Sequence, residues 1–478
     1  MGEVTNSVGI IGGGVAGLAA GIALLRQGAA VTIHEANARA GGCCTTTDVD
    51  GYTFNDGAMY VAVPEMLDHG FARLGLDREA LLPLRRIDAM QATRLPDGTC
   101  VSFATGLDVR VDGRAVDIAP LRALLARWEP VLRLVADELA THPFSLVHLL
   151  RKGWRELPKL RGTVASQLEK MLDDPALRSA LGGVVLYTGL PAAKTPAMQL
   201  IGVIALLSDR FWLPEGGMGR IPEALAEAFV HLGGELRTAE PVERIVVEGG
   251  RARGVDVAGQ GRFAHDAVLS AVSGMATATW LLAPDDVPSG MRRRTVRAPL
   301  SQKALSVQLG LSNAIDASSH FMSRLPWLRE QGQALQPANG LPPWLSYSVP
   351  TVTMPELARA GGSIIELYPP IDQRLPAAQW DEARANAIAD AAIETLSQWH
   401  PLDVAARRVR SPRDFQGGMH LYEGAIYGLS PGADPRAQFP HETGIAGLCQ
   451  AGQTTWPGFG VATSLMSGIL AAEALVGR

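Results

Sequence analysis

A glycine-rich turn between two short apolar runs constrains the fold of this chain more than any other feature. Gly12, Gly14 and Gly17 match the pattern G-x-G-x-x-G. The apolar run before them, residues 8–11, is typical of a buried strand, and apolar residues at helical spacing follow it. A second apolar run at residues 30–34 completes a predicted strand, helix and strand in that order.

Each part of this unit has a physical role in binding a dinucleotide. Gly12 permits the tight turn, Gly14 lets the backbone approach a pyrophosphate, and Gly17 lets helix and strand pack closely. The helix N-terminus presents unpaired N–H groups and the positive end of its dipole to the phosphates. Glu35 ends the second strand, where a carboxylate accepts ribose hydroxyls and repels a 2′-phosphate. The alternative is a purely structural βαβ unit.

Composition excludes several classes of protein. In 478 residues, 47% are hydrophobic and 19% charged, which does not fit a disordered chain. The net charge is −5, so a basic nucleic-acid-binding surface is not expected. The same conclusion follows from the small number of lysines, which are Lys152, Lys159, Lys170, Lys194 and Lys303.

The cysteines and the N-terminus point to a cytoplasmic protein. Four cysteines in so long a chain do not form a disulfide framework, and no C-x-x-C pair or other metal signature is present. The first residues lack the basic start and the small-residue cleavage site of a signal peptide. The longest nearly apolar stretch, residues 198–207, is too short to span a bilayer.

A second glycine turn carries a resemblance to a known superfamily. Gly41-Gly42-Cys43-Cys44 follows Glu35, and Phe54-x-Asp56-x-x-Met59 comes shortly after it. Together these residues resemble the opening of the FAD-dependent amine oxidase and phytoene desaturase superfamily, in which this turn touches the flavin end of the cofactor. The variant GGCC resembles the carotenoid isomerase and retinol saturase branch in particular.

The resemblance continues in the middle and at the end of the chain. A turn at residues 213–219 leads into a predicted helix and several short strands, and it is similar to the superfamily's second FAD segment. There the main chain at the position of Val242 meets the adenine. Residues 452–460 contain Pro457-Gly458-x-Gly460 before a helical pattern at residues 461–475, and they resemble the terminal flavin motif. Residues 424–428 look like carotenoid desaturase and isomerase sequences.

The predicted fold class is α/β, with a Rossmann-like FAD-binding domain of the glutathione reductase type and an inserted α+β substrate domain. We expect the FAD domain to consist of residues 1–75, 211–275 and 411–478. The substrate domain then consists of residues 76–210, whose pattern is mainly helical, and residues 276–410, which include several alternating strands.

The resemblance implies non-covalent FAD and a set of residues that contact it. Cys43 and Cys44 are interpreted as two small apolar residues under the cofactor, with a redox role as the alternative. The expected FAD-binding residues are Gly12, Gly13, Gly14, Val15, Ala16, Gly17, Glu35, Ala36, Gly41, Gly42, Cys43, Gly57, Ala58, Met59, Val242, Gly452, Gly460 and Val461.

Tyr60 and His420 are the candidate catalytic residues. Flavin desaturation needs a C–H bond held over N5 and a base or charge stabiliser close to it. Tyr60 follows the flavin-facing turn and His420 lies in a loop, so each is a candidate, with packing roles as the alternatives. Amine oxidases commonly place a lysine near the flavin. Because Lys303 is the only lysine after residue 194, the pattern favours desaturation over amine oxidation.

The function expected from these features is FAD-dependent oxidation (desaturation) or isomerisation of an apolar, unsaturated substrate by hydride transfer to flavin N5. No second dinucleotide turn is found, so the electron acceptor is expected to be oxygen or a quinone. The alternatives are an oxidase of an amine or amino-acid-derived metabolite and a non-catalytic prenyl-binding escort protein. Arginines interleaved with Phe144, Leu149, Leu150 and Trp154 indicate either a solvated helix face or a peripheral membrane contact.

Overall fold

The computed structural model describes residues 7–477, and a five-stranded parallel sheet organises its first structural unit. Each strand pairs in parallel with its neighbours, and the order across the sheet differs from the order along the chain. In spatial order the strands are β12 (Glu235–Arg237), β2 (Ala30–His34), β1 (Ser7–Ile11), β16 (Ala267–Ser270) and β22 (Leu448–Gln450). These strands come from all three segments predicted for the FAD domain, whose boundaries stay a prediction.

Three long helices pack on one face of this sheet. The first, α1 (Val15–Arg26), begins directly after the glycine turn and lies between α9 (Arg220–His231) and α14 (Val461–Leu475). Gly28 follows α1 with a φ of +88°, a left-handed conformation that glycine adopts readily and that terminates the helix. The helices approach closely, since a Cβ at Gly468 would lie 2.1 Å from the carbonyl oxygen of Ala16.

Smaller sheets complete this unit. An antiparallel meander of β13 (Val242–Glu248), β14 (Arg251–Val257) and β15 (Gly261–Ala264) covers the other face of the parallel sheet. A hairpin of β3 (Thr46–Val49) and β4 (Tyr52–Asn55) follows the second glycine turn. A three-stranded sheet joins β5 (Val61–Ala62), β11 (Phe211–Pro214) and β6 (Leu84–Arg86).

A nine-stranded sheet forms the second structural unit. Its neighbouring strands are antiparallel except for one parallel pair in the middle, in which Phe321 lies opposite Gln91. In spatial order the strands are β10 (Arg114–Ala115), β9 (Asp108–Val111), β8 (Cys100–Ala104), β7 (Ala89–Arg94), β18 (Phe321–Arg324), β19 (Leu345–Ser348), β20 (Ser363–Leu367), β17 (Ser306–Leu311) and β21 (Val404–Arg410).

The remaining helices surround the two sheets. None of the helices in the described part of the chain has the length and apolar character needed to cross a membrane. They are α2 (Pro64–Arg73), α3 (Arg78–Leu81), α4 (Ala119–Arg133), α5 (Leu146–Gly153), α6 (Val164–Met171), α7 (Pro175–Gly183), α8 (Leu200–Leu207), α10 (Gly274–Ala276), α11 (Ser289–Arg297), α12 (Glu382–Ser397) and α13 (Pro412–Met419).

The α/β class is confirmed, whereas the mainly helical prediction for residues 76–210 is wrong in its first part. Strands β6 to β10 occupy most of residues 84–115. Each is short, and β7 finds its central partner more than 200 residues further along the chain, which local periodicity does not reveal. Residues 146–160 do not form one continuous helix either: α5 ends at Gly153, and Pro158 lies in a separate 3-10 turn.

Candidate active site

A cavity of about 860 Å³ lies where the glycine turns of the parallel sheet face the nine-stranded sheet. All the residues predicted to bind FAD line it, except Gly13 and Gly17, and both predicted catalytic residues line it as well. Gly13 and Gly17 lie outside the residues that line the cavity. Their roles are to shape the turn and to pack the helix against it, which is the role that the sequence assigned to Gly17.

The start of α1 forms the end of the cavity at which the nucleotide is predicted to bind. The N-cap residue Gly14 makes no side-chain capping bond, so the first N–H groups of the helix stay available to a ligand, and Val15 and Ala16 line the cavity. A Cβ at Gly17 would lie 2.0 Å from the carbonyl oxygen of Gly12, whereas a Cβ at Gly14 would meet only Gly42, at 3.8 Å. The turn is therefore tightly packed at Gly17, whereas there is space for a ligand at Gly14. This arrangement fits a pyrophosphate bound against the helix N-terminus.

Glu35 is fixed at the end of β2 by its own turn. Its side chain is buried and accepts hydrogen bonds from the backbone N–H groups of Gly13 (2.7 Å) and Asn37 (2.8 Å). Each carboxylate oxygen keeps further acceptor capacity, and the residue lines the cavity. This arrangement fits the predicted contact with ribose hydroxyls.

We expect the substitution Glu35→Ala to weaken FAD retention by about 1–3 kcal/mol, because charge-assisted hydrogen bonds are lost and the turn around Gly13 loses its acceptor. The ratio of flavin to protein absorbance after gel filtration measures this effect. Glu394→Ala, a change at an exposed site on α12, is the control. Unchanged flavin content in Glu35→Ala would rule out the ribose contact.

Three turns that pack against one another form the end of the cavity at which the flavin is predicted to bind. Gly42 packs against Gly14, and a Cβ at Gly57 would lie 2.5 Å from the carbonyl oxygen of Cys43. The third turn leads into α14, whose N-cap Gly460 also lacks a side-chain capping bond. Val461 and Ser464 line the cavity, so a second helix N-terminus is directed at the same space. The two open helix ends fit a ligand that is anionic in two places, as reduced FAD is.

The two adjacent cysteines are neutral thiols. Burial raises the pKa of Cys43 to about 11, although Arg410 opposes the shift, and burial also raises the pKa of Cys44. The Cys44 thiol donates a hydrogen bond to the carbonyl oxygen of Met218 at 3.3 Å. Reactive cysteines have lowered pKa values. The raised pKa values of Cys43 and Cys44 therefore favour their interpretation as small apolar residues over a redox role.

Asp56 is the centre of a buried ion cluster behind the flavin-facing turn. Arg408 and Arg410 both form ion pairs with its carboxylate, and Arg410 also donates to its carbonyl oxygen at 3.0 Å. The hydroxyls of Thr45 and Thr47 donate to the other carboxylate oxygen at 2.9 Å each. Sequence reasoning singled out Asp56 only as part of a motif and missed both arginines, which come from β21.

Glu366 is a second buried carboxyl that sequence reasoning missed. It lines the cavity on β20 and accepts hydrogen bonds from the N–H group of Asn55 (2.7 Å) and the hydroxyl of Ser348 (3.2 Å). Burial raises its pKa to about 7. The only local signal is a carboxylate within an apolar run, since Glu366 stands between Ile365 and Leu367 in a strand whose one other polar residue is Ser363.

The two predicted catalytic residues occupy different surroundings. The ring of Tyr60 packs against Phe211 (4.5 Å between centroids) and Phe321 (5.2 Å), and burial raises its pKa to about 12. Tyr60 therefore stays protonated at neutral pH and favours charge stabilisation over a role as base. His420 ends α13 in a left-handed conformation (φ +54°), and its Nε2 is buried without a partner among residues 7–477.

The structure places a lysine at this site, contrary to the expectation that favoured desaturation. Lys303 precedes β17 and lines the cavity. Its ammonium donates to the carbonyl oxygen of Leu375 at 2.7 Å and lies 3.8 Å from the Glu423 carboxylate, while burial lowers its pKa. The position of lysines therefore no longer separates desaturation from amine oxidation.

Comparison with known proteins gives one consistent family. A family model described as flavin containing amine oxidoreductase matches residues 15–476. The chain is similar to the zeta-carotene-forming phytoene desaturase of Myxococcus xanthus (25% identity over 98% of this chain and 93% of the relative). It is also similar to the phytoene dehydrogenase of Streptomyces griseus (27% identity over 99% and 95%). Cyclohexylamine oxidase from Brevibacterium oxydans shares the fold, with a TM-score of 0.61 over 99% of both chains at 17% identity.

Proposed function

The chain belongs to the family of flavin-containing amine oxidoreductases, and on that premise we propose that it oxidises (desaturates) or isomerises an apolar, unsaturated substrate. It is an FAD-dependent oxidoreductase that resembles carotenoid desaturases. Because the chain is an enzyme, the escort-protein hypothesis is not retained. We also propose a substrate class, an electron acceptor and a peripheral membrane contact for this enzyme.

One observation carries the proposal: the open ends of two helices face a cavity whose far walls are largely aromatic and aliphatic. Bound FAD supplies an acceptor for hydride from a substrate C–H bond. The walls beyond the glycine turns exclude water and orient an apolar substrate. The residues that form these walls include Leu186, Phe211, Phe321, Leu325, Leu335 and Ile426.

The chain's own polar groups have distinct proposed tasks. The N-terminus of α14 stabilises negative charge near the flavin N1 and C2 carbonyl, because its first N–H groups are unpaired. His420 is the proposed base, since its buried Nε2 has no protein partner in the described chain. Tyr60 is the proposed charge stabiliser. The expected acceptor of the electrons is oxygen or a quinone.

The decisive experiment is anaerobic mixing of the flavin-loaded protein with phytoene in detergent micelles. Bleaching of the oxidised flavin band, together with a more unsaturated product, supports desaturation. A changed double-bond geometry without net bleaching supports isomerisation. Absence of both, with bleaching by putrescine or cyclohexylamine in the same assay, would transfer the assignment to the amine oxidase alternative, which the position of Lys303 keeps open.

For His420→Ala we expect flavin reduction by the substrate to slow about 100-fold or more, with unchanged flavin content, because general base catalysis contributes about 10²–10⁴-fold. Stopped-flow absorbance measures the rate. His231→Ala, at an exposed position on α9, is the control. A wild-type rate in His420→Ala would leave His420 with only a packing role.

A peripheral membrane contact is proposed for the segment around α5. Its large apolar side chains are between 43% and 75% exposed, and Arg151, Lys152 and Arg155 flank them. Exposed aromatic and aliphatic residues beside basic ones are typical of interfacial helices. The segment adjoins the flavin turn, since Phe144 packs against Trp456 at 5.0 Å between ring centroids. The exposed apolar residues are Phe144, Leu146, Val147, Leu150 and Trp154.

We expect the double substitution Val147→Asp and Leu150→Asp to reduce binding to vesicles containing anionic lipid by about tenfold or more, since each buried aliphatic side chain contributes roughly 1.5–3 kcal/mol. Co-sedimentation measures the bound fraction. The control is Val296→Asp on α11, where the side chain is 82% exposed and lies outside this segment. Equal binding of the double variant and the control would reject the contact.

A further inference from the structure

Tyrosines are concentrated at the cavity. Five of the seven tyrosines in the chain line it. Two of these five phenol groups have protein partners: Tyr187 donates to Gln199 (3.1 Å), and Tyr347 hydrogen-bonds to His400 (2.6 Å). Within residues 7–477 the buried hydroxyl of Tyr368 has no hydrogen-bond partner, and neither have the hydroxyls of Tyr60 and Tyr427.

Tyr60 and Tyr427 adjoin the two flavin-facing turns. Tyr60 directly follows residues 57–59, which line the flavin end of the cavity. Tyr427 precedes Gly428, which packs against Thr454 in the C-terminal turn, and its backbone N–H donates to the Ser301 hydroxyl at 2.9 Å. Both tyrosines therefore line the cavity next to these turns.

Neighbouring rings fix both side chains. Tyr60 is held by Phe211 and Phe321, and Tyr427 packs against Phe459 (4.9 Å between centroids) and Tyr187 (6.2 Å). Rotation of either phenol toward another protein acceptor would break these contacts. The positions of the hydroxyls are thus set before a ligand enters.

Both hydroxyls are hydrogen-bond donors at neutral pH. Burial raises the pKa of Tyr60 and that of Tyr427, and the nearby phenol of Tyr60 raises the pKa of Tyr427 further. A neutral phenol offers one O–H donor. A pure hydrocarbon has no acceptor for such donors, and a polar group shielded from water without a partner is unfavourable.

From this arrangement we infer that the substrate carries an acceptor oxygen, of the carbonyl class, which the hydroxyls of Tyr60 and Tyr427 bind beside the reacting carbons. The inference rests on the proposed function and deepens it by naming a polar group on an otherwise apolar, unsaturated substrate. It also assigns Tyr60 a binding contact, and it adds Tyr427, for which no role was predicted from the sequence.

The test compares two ligands that differ only in this oxygen. They are geranylgeranial, a C20 isoprenoid aldehyde, and the C20 hydrocarbon in which a methyl group replaces the aldehyde. Neither absorbs in the visible flavin band, so the shift of that band on titration of the flavin-loaded protein reports an apparent Kd. We expect the aldehyde to bind about tenfold more tightly, or better, as removal of a hydrogen-bonded pair predicts.

Two conservative variants locate the effect. Tyr60→Phe and Tyr427→Phe should each weaken aldehyde binding about tenfold and change hydrocarbon binding less than twofold. Tyr422→Phe is the matched control, since Tyr422 does not line the cavity. Flavin content after gel filtration verifies that each variant folds and holds its cofactor.

The outcomes separate the inference from the proposed function. Equal affinity for the two ligands, or equal loss of both in the phenylalanine variants, overturns the inference, while flavin bleaching by phytoene still supports the proposed function. If neither isoprenoid binds and phytoene does not react, the proposed function fails and the inference fails with it.

Discussion

Replacing Gly17 by alanine is expected to destabilise the protein by about 3 kcal/mol or more and to abolish flavin binding. The added Cβ would lie 2.0 Å from the carbonyl oxygen of Gly12 and 3.2 Å from the Cβ of Ala271. The first contact is with backbone, which no side-chain rotation relieves. Helix α1 would have to move away from the turn, and it is packed between α9 and α14.

Urea denaturation followed by far-UV circular dichroism measures the loss of stability. Gly417→Ala is the matched control, because the space around Gly417 on α13 is open and its φ is not in the left-handed region. Gly14→Ala is informative beside it: the protein does not crowd this position, so the variant should fold and yet lose flavin. Wild-type stability in Gly17→Ala would contradict the packing of turn and helix described above.

Replacing Asp56 by alanine is expected to lower the free energy of unfolding by about 3–5 kcal/mol, because it leaves two arginines without their buried counter-charge. The guanidinium groups of Arg408 and Arg410 both pair with this carboxylate. The hydroxyls of Thr45 and Thr47 lose their acceptor in the same change. The flavin-facing turn at residues 57–59 follows Asp56 directly, so we expect this turn to be displaced in the variant.

Two readouts distinguish the effects of this variant. Denaturant unfolding gives the loss of stability, and the visible flavin spectrum reports any change around the turn. Asp285→Ala removes an exposed carboxylate at a distant site and serves as control. If Asp56→Ala unfolds at the wild-type urea concentration, the ion cluster contributes no net stability and the three charges are not coupled.

The Asp56 cluster joins the two structural units at the cavity. Arg408 and Gln308 belong to the nine-stranded sheet, and Gln308 donates to the carbonyl oxygen of Asn55 at 2.6 Å. Glu366 accepts from the N–H group of the same Asn55. The sheet therefore holds both backbone groups of the residue before Asp56, and the substrate side of the cavity is fixed relative to the cofactor side.

The cofactor-binding unit could be predicted from the sequence because the patterns that specify it are local. The glycine turn, α1 and β2 lie within 28 consecutive residues, and the structure begins and ends β2 where the sequence placed it. Helix α14 also has its predicted bounds, Val461–Leu475. Turn residues and apolar periodicity act over a few residues, so a single sequence displays them.

The pairings between distant segments were decided only by the tertiary structure. Arg408 reaches Asp56 from 352 residues away, and β7 pairs with β18 across most of the substrate unit. The sequence showed Lys303 only as an isolated lysine, and the tertiary structure brings it into the cavity wall. Tyr60 and Tyr427 line one cavity only because distant segments of the chain converge there. The sequence by itself determined the cofactor unit, because short-range backbone requirements specify it. The chemistry of the substrate cavity depends on contacts between segments far apart in the chain, and no local pattern encodes those contacts.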